Sequence, residues 1–254
     1  MSRGNSSSMW QVEDARPEHD SQIRELFKSA FREDMSRAQW QWKYDEGRGV
    51  GVVVSRESEI IAYFGGTERR VLFKGEAVCA IQCGDSMVGE SHRGTLSKKG
   101  PFYLSVTTFL DKYVGFNRPY LLSYGFPNAR AMRLAEHLGM YAEVGNLVDV
   151  VWSAESSSAF SSVEFDFASG DHQRTLEELW VNMAAEFTDR TIGVRDLAYL
   201  RHRYHDHPEL RYQLHLVHRK SDGKLLGLIV TRQVKDRLLL LDVVAPTNMI
   251  RELA

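Results

Sequence analysis

The chain is poor in the residues that would place it outside the cell or in a membrane. Only two cysteines occur among 254 residues, Cys79 and Cys83 in "VCAIQCGD". That is too few for a disulfide-stapled secreted domain. On one strand, side chains four residues apart share a face but stand too far apart for an easy bridge, so two buried free thiols are expected. With no histidine near them in sequence, no zinc site and no other metal site is expected. No apolar run approaches the ~18 residues that span a bilayer, so no membrane partner is expected. The opening "MSRGNSSSMW" has no apolar core of a signal peptide. We read residues 1–9 as a disordered leader and place the protein in the cytoplasm. A surplus of one charge is also missing. The formal net charge is -2, which gives no electrostatic ground for a nucleic-acid partner. Proline is scarce, at six residues, which leaves the elements few breaks. What the chain does have is 43% hydrophobic residues, enough for a substantial core.

Periodicity divides the first part into a continuous α/β series. "WQVEDAR" alternates as a strand, and Pro17 opens a helix whose Ile23, Leu26, Phe27 and Phe31 share a face. A second helix runs from Ser36, a plausible cap, to Tyr44. "VGVVVS", "EIIAYFGGTERRVLF" and "EAVCAIQCGDSMV" read as an antiparallel meander. A helix from about Pro101 to Val114 follows, then a short strand in "PYLLSYGF". "PNARAMRLAEHLGM" is a helix stopped by Gly139, and "YAEVGNLVDVVW" is a closing strand. Residues 10–152 thus form one complete unit.

"SAESSSAFSS", residues 153–162, reads as a linker. Beyond it the pattern starts again over 163–254. "RTLEELWVNMAAEF" places its apolar residues as the first helix does. "LAYLRHRY", ending at Tyr204, parallels "RAQWQWKY", ending at Tyr44. "YQLHLVH" and "LLGLIVTRQ" repeat the meander. A weak internal duplication is one account; two unrelated helix–strand segments are the other. The second unit stops after "LLLLDVVAP" and one helical turn, as an incomplete copy or as part of a longer protein.

The stretch "SHRGTLSKKGPFYLSVTTFLDKYVG" carries the most chemistry. It is basic and glycine-containing, and it feeds a helix with proline at its first position. Free amides of a helix's first turn, glycines that allow close backbone approach, and Arg93, Lys98 and Lys99 would together cradle a diphosphate. A solvated basic loop is the alternative. It is not a Walker loop, having no Gly-Lys-Ser/Thr.

Taken with the order of elements, this turn and "YGFPNARAMRLAEHLGM" resemble the GNAT acyltransferases. Asn128, Ala131, Leu134 and Gly139 occupy the positions of that family's later motif. The resemblance covers residues 10–152, with the remainder a partial second copy. It implies an α/β fold with a mixed, splayed central sheet flanked by helices, followed by an incomplete second α/β unit. It also implies acetyl-CoA as acyl donor and a small-molecule or peptide amine as acceptor. The coenzyme contacts it implies are Met87, Val88, Arg93, Gly94, Lys98, Lys99, Gly100, Phe102 and Asn128. The thioester would lie near Ser86 to Val88, between strands that splay apart. The family's usual acid, a tyrosine, is replaced by Ala135. Tyr124 is therefore the first candidate acid, with Tyr141 an alternative. Asp85 is the candidate base, with Glu90 second. The turn is longer than the family's.

Ala135 and the long turn keep open a non-catalytic coenzyme-binding or partner-binding module. An aminoacyl-tRNA transferase is a third possibility, which the lack of a basic surplus disfavours. Trp40 and Trp42 would line the acceptor side or simply pack on the sheet. The histidines of "RHRYHDHPELRYQLHLVH" read as surface residues. An exposed sheet edge in the unfinished unit makes a homodimer possible.

Overall fold

The structure, a computed structural model, describes residues 10–93, 99–151, 153 and 157–253. The chain divides into two compact units, and each is described by itself. The first holds the residues up to Arg69 and Cys79–Val148; the second holds Arg70–Val78 and Asp149 onward.

In the first unit, β1 (Gln11–Asp14) leads through a 3-10 turn at Pro17–His19 into α1 (Asp20–Phe31). Proline therefore opens a tight turn, and the α-helix starts three residues later than expected. The Ser36 side chain accepts from the Gln39 amide and caps α2 (Arg37–Tyr44). The meander is β2 (Gly49–Arg56), β3 (Glu59–Phe73) and β4 (Glu76–Val88). A short turn at Glu90–His92 precedes α3 (Pro101–Tyr113), then β5 (Leu122–Gly125) and α4 (Ala129–His137).

The sheet order is β1-β2-β3-β4-β5. β1 and β3 both pair antiparallel with β2, and β5 joins β4 in parallel. Strand alternation sends successive residues to opposite faces. Val53, Tyr63 and Met87 meet Ile23 and Leu26 of α1 and Trp40 of α2 on one face. Val52, Phe64 and Ile81 meet Val106 and Phe109 of α3 on the other. Trp40 is thus a core residue, 3% exposed, and forms no part of a substrate wall.

One expected element is absent. Residues 141–151, read as the closing strand, form no ladder. Val144 is 99% exposed and Leu147 79%. β-branched composition makes a strand favourable only where a partner edge receives it, and no described strand pairs with this segment.

The second unit contains β6 (Phe160–Glu164), α5 (Gly170–Ala185), β7 (Thr191–Gly193), α6 (Leu197–Leu200), β8 (Gln213–Arg219), β9 (Leu225–Val234), β10 (Arg237–Val244) and α7 (Thr247–Leu253). β6 begins inside the stretch read as a linker. The sheet order β10-β9-β8-β6 is antiparallel throughout. Leu176, Leu179 and Met183 of α5 cover Leu214, Leu216, Leu228 and Val230. β7 pairs with Val71–Phe73, the end of β3 that belongs to this unit. After α6 the helix widens to a π-turn at Arg201–His205.

Among the described residues, no helix is long and apolar enough to cross a membrane. Nor does any group of three or more His, Cys, Asp or Glu stand ready to hold a metal.

Candidate active site

The site begins where two strands part. The β4–β5 ladder runs from Ala80–Leu122 to Cys83–Gly125 and stops. β5 ends at Gly125, while β4 continues to Val88. Gly84 to Val88 therefore have no described strand on their β5 side. An unpaired strand edge presents alternating amides and carbonyls to anything extended that lies along it. A Cβ placed on Gly84 would meet nothing within 4 Å, so the space beside the edge is open. Next comes Asp85, with φ 52°, a left-handed residue inside a strand. It breaks the regular alternation of the pleat and re-aims the side chain.

The Asp85 carboxylate is anchored rather than free. Its Oδ2 accepts from the Tyr44 hydroxyl at 2.6 Å and pairs with the Lys43 ammonium. Both partners come from the last turn of α2. The aromatic pair beneath them lies on glycine. A Cβ at Gly51 would come within 2.5 Å of the Tyr63 ring, and Gly65 and Gly49 lie as closely under Tyr63 and Tyr44. Only glycine allows rings to lie this close to the strand backbone. Burial pushes both tyrosine hydroxyls well up, with Asp85 adding to it. Both stay protonated, and Tyr44 is the donor to Asp85. Composition gave no sign of Lys43, Tyr44 and Tyr63 as site residues. The spaced glycines of "GVGVVVS" and "AYFGG" were the available signal.

The basic turn is arranged less simply than its sequence suggests. Arg93 Nε donates to the Val88 carbonyl at 2.9 Å, and a terminal nitrogen donates to Ala30 at 3.3 Å. Glu90 stands 3.8 Å away. Arg93 thus fastens the end of β4 to the end of α1. Gly94 and Lys98 lie outside the described residues. Lys99 is exposed, whereas Gly100 and Pro101 are buried. α3 carries no side-chain cap, and Phe102 and Tyr103, both half-buried, are its first residues with amides to offer. Asn128 caps α4 by accepting from the Arg130 and Ala131 amides, which commits its oxygen to the helix.

Tyr124 sits opposite Gln82 in the β4–β5 register, with Phe126 edge-on to it. Tyr141 packs near Cys83, and burial raises its hydroxyl. Ala135 is 1% exposed. Met87 is buried against α1, so only its backbone faces the edge; Val88 is half-buried. Cys79 and Cys83 are free and half-buried rather than buried. Burial pushes the Cys83 thiol up to about 12, with a Ser123 hydrogen bond opposing it.

The fold as a whole superposes on solved structures. A probable N-acyltransferase of unknown function from Enterococcus faecalis superposes with TM-score 0.66 at 12% identity. The fold is that of the GNAT acyltransferases. A GCN5-related N-acetyltransferase from Kribbella flavida gives 0.57 at 12% identity. An N-myristoyltransferase from Saccharomyces cerevisiae, with bound myristoyl-CoA, gives 0.51 at 10%. These matches cover 95%, 96% and 94% of this chain, so the likeness extends over both units. The chain spans 59%, 59% and 63% of theirs. No family model and no curated protein sequence matches it. Within that fold, the first unit supplies a sheet of β1 to β5 whose β4–β5 ladder ends at Cys83–Gly125, and the second a four-stranded sheet.

Proposed function

We propose that the first unit transfers an acyl group from an acyl-CoA thioester, acetyl-CoA in the simplest case, to a primary amine of a small molecule or peptide. The observation that carries this is the open β4 edge at Gly84–Val88 beside an anchored carboxylate. The edge suits an extended amide-bearing arm, which would bond to it as an added strand. The residues for a diphosphate are Arg93, Gly94, Lys98, Lys99 and the first turn of α3, Gly100 and Phe102 included. Arg93 would have to exchange a carbonyl partner for phosphate. Asn128 would contribute through the helix start it caps.

The thioester supplies an activated acyl carbon. The chain has three tasks: to polarise the carbonyl, to remove a proton from the acceptor ammonium, and to protonate the leaving thiolate. Backbone amides of Met87 and Val88 suit the first. Asp85 suits the second, since it lies beside the edge with its carboxylate fixed. Tyr124, on the facing strand, suits the third.

Ala135 favours a second reading, a module that binds coenzyme and does no chemistry. It is closed in the core where the family's usual acid would stand. One experiment separates the two. Acetyl-CoA at about 100 times its dissociation constant adds about 2.7 kcal/mol of stability, a rise of several degrees in melting temperature. Coenzyme thiol release with a panel of primary amines then distinguishes enzyme from binder. No thermal shift with any acyl-CoA would sink both.

A further inference from the structure

The second unit holds a carboxylate placed like Asp85. Asp242 lies on β10, the third strand of its meander, as Asp85 lies on β4. Tyr204, at the place matching Tyr44, donates to Asp242 Oδ2 at 3.0 Å. The Tyr–Asp separation is 38 residues here and 41 in the first unit. Each aspartate also marks an irregularity in its strand. The β10 register shifts between Leu240 and Asp242, and Asp85 is left-handed. This repeated contact is a structural mark of duplication, independent of the sequence pattern.

The two carboxylates differ in what remains unused. Asp242 Oδ2 also receives Tyr199 at 3.4 Å, while Oδ1 receives Arg195 at 2.6 Å and the Val243 amide at 3.0 Å. Both oxygens are taken, and the side chain is 6% exposed. Asp85 receives Lys43 and Tyr44 on Oδ2 alone. Among the described residues, its Oδ1 has no hydrogen-bond partner, and it is not sealed from solvent.

We propose that Tyr44 and Lys43 are positioning residues that hold Asp85 by one oxygen and leave the other to the acceptor's ammonium group. The second unit keeps the same device in closed form, so of these two carboxylates Asp85 is the one that offers an acceptor an open oxygen. Tyr44 fixes the carboxylate's orientation. Lys43 acts with the opposite sign: its charge weakens the hold on a second ammonium, so the acceptor releases one proton by way of Asp85 to solvent, attacks as neutral amine, and gives its second proton up as the thiolate leaves protonated. The identity of the amine as acceptor rests on the acyl-transfer reading; the geometry does not.

The test uses the full chain with 13C-labelled aspartate side chains, titrated with n-butylamine and, as neutral control, n-butanol. The Asp85 carboxyl signal is expected to shift saturably with the amine alone, and that of Asp242 not to move. Tyr44→Phe should weaken amine binding about tenfold. Lys43→Met should tighten it several-fold while lowering the kcat of thiol release, and Lys43→Arg should restore both. Melting temperatures check that each variant folds, and Lys43→Gln, which also removes the charge, serves if the methionine variant does not fold. An amine that shifts neither aspartate, or shifts both, overturns the proposal. So does a folded Lys43→Met chain that binds amine no tighter. Amine binding at Asp85 without thiol release would sink the acyl-transfer reading and leave the proposal standing. Thiol release with Asp85 unmoved would do the reverse.

Discussion

Asp85 keeps a left-handed backbone although it carries a side chain, a conformation that costs an ordinary L-residue about 1–2 kcal/mol. Two hydrogen-bonded partners hold the carboxylate that this conformation aims. Asp85→Asn keeps the shape and removes the charge. It is expected to lower acyl transfer by about 10²-fold or more with little change in stability. Steady-state rates and chemical denaturation of the same sample check both halves. The glycine seat makes the opposite prediction. Gly51→Ala drives a methyl into the Tyr63 ring, at a cost of about 1–3 kcal/mol, read from the denaturation midpoint. Burial displaces the titration of Cys83 strongly upward. With its thiol near 12, the thiolate fraction at pH 8 is roughly a thousandfold below that of a free cysteine. Alkylation of Cys83 should accordingly be slow at pH 8. It should speed up about tenfold per pH unit through pH 10, followed by peptide mass spectrometry.

Among the elements, helix caps and strand-to-helix ties decide how firmly the site is held. Asn128→Ala removes the α4 cap and should cost about 1 kcal/mol, which Asn128→Asp restores. Asp14 ties β1 to α3 through Lys112 and the Tyr113 hydroxyl. Burial pushes its carboxyl up, but those two hydrogen bonds outweigh that and hold it below the usual range. A depressed folded value means the tie contributes above the unfolded pKa, near 4. The contribution fades as pH falls through the folded value. Wild type should therefore lose more stability than Asp14→Asn between pH 6 and pH 3, compared by denaturation at each pH. α2 and β4 were legible as elements because their periodicities and caps are local. That Lys43 and Tyr44 reach Asp85, more than forty residues away, was not legible, since no local rule relates a helix's last turn to a strand's irregularity.

For the molecule as a whole, the second unit packs a core of its own, distinct from the clusters on the first unit's sheet, and two cooperative bodies are expected. Phe64 and Leu228 are each fully buried, one in either core. Phe64→Ala and Leu228→Ala should each cost about 2–5 kcal/mol, and each should lower a different calorimetric transition. One shared transition, lowered by both, would show a single cooperative body. Sequence alone determined the order of helices and strands from β1 to α4, the cap at Ser36 and the proline start of α3, and it offered duplication as one account of the second unit. Hydrophobic period, capping and turn chemistry act over a few residues and are written there directly. Only the tertiary structure decided that residues 141–151 stay unpaired, that Arg93 is spent on two carbonyls, and that one aspartate keeps an open oxygen while its counterpart is closed. Each of those depends on which groups from distant parts of the chain arrive within 3 Å, and that is set by packing rather than by any local pattern.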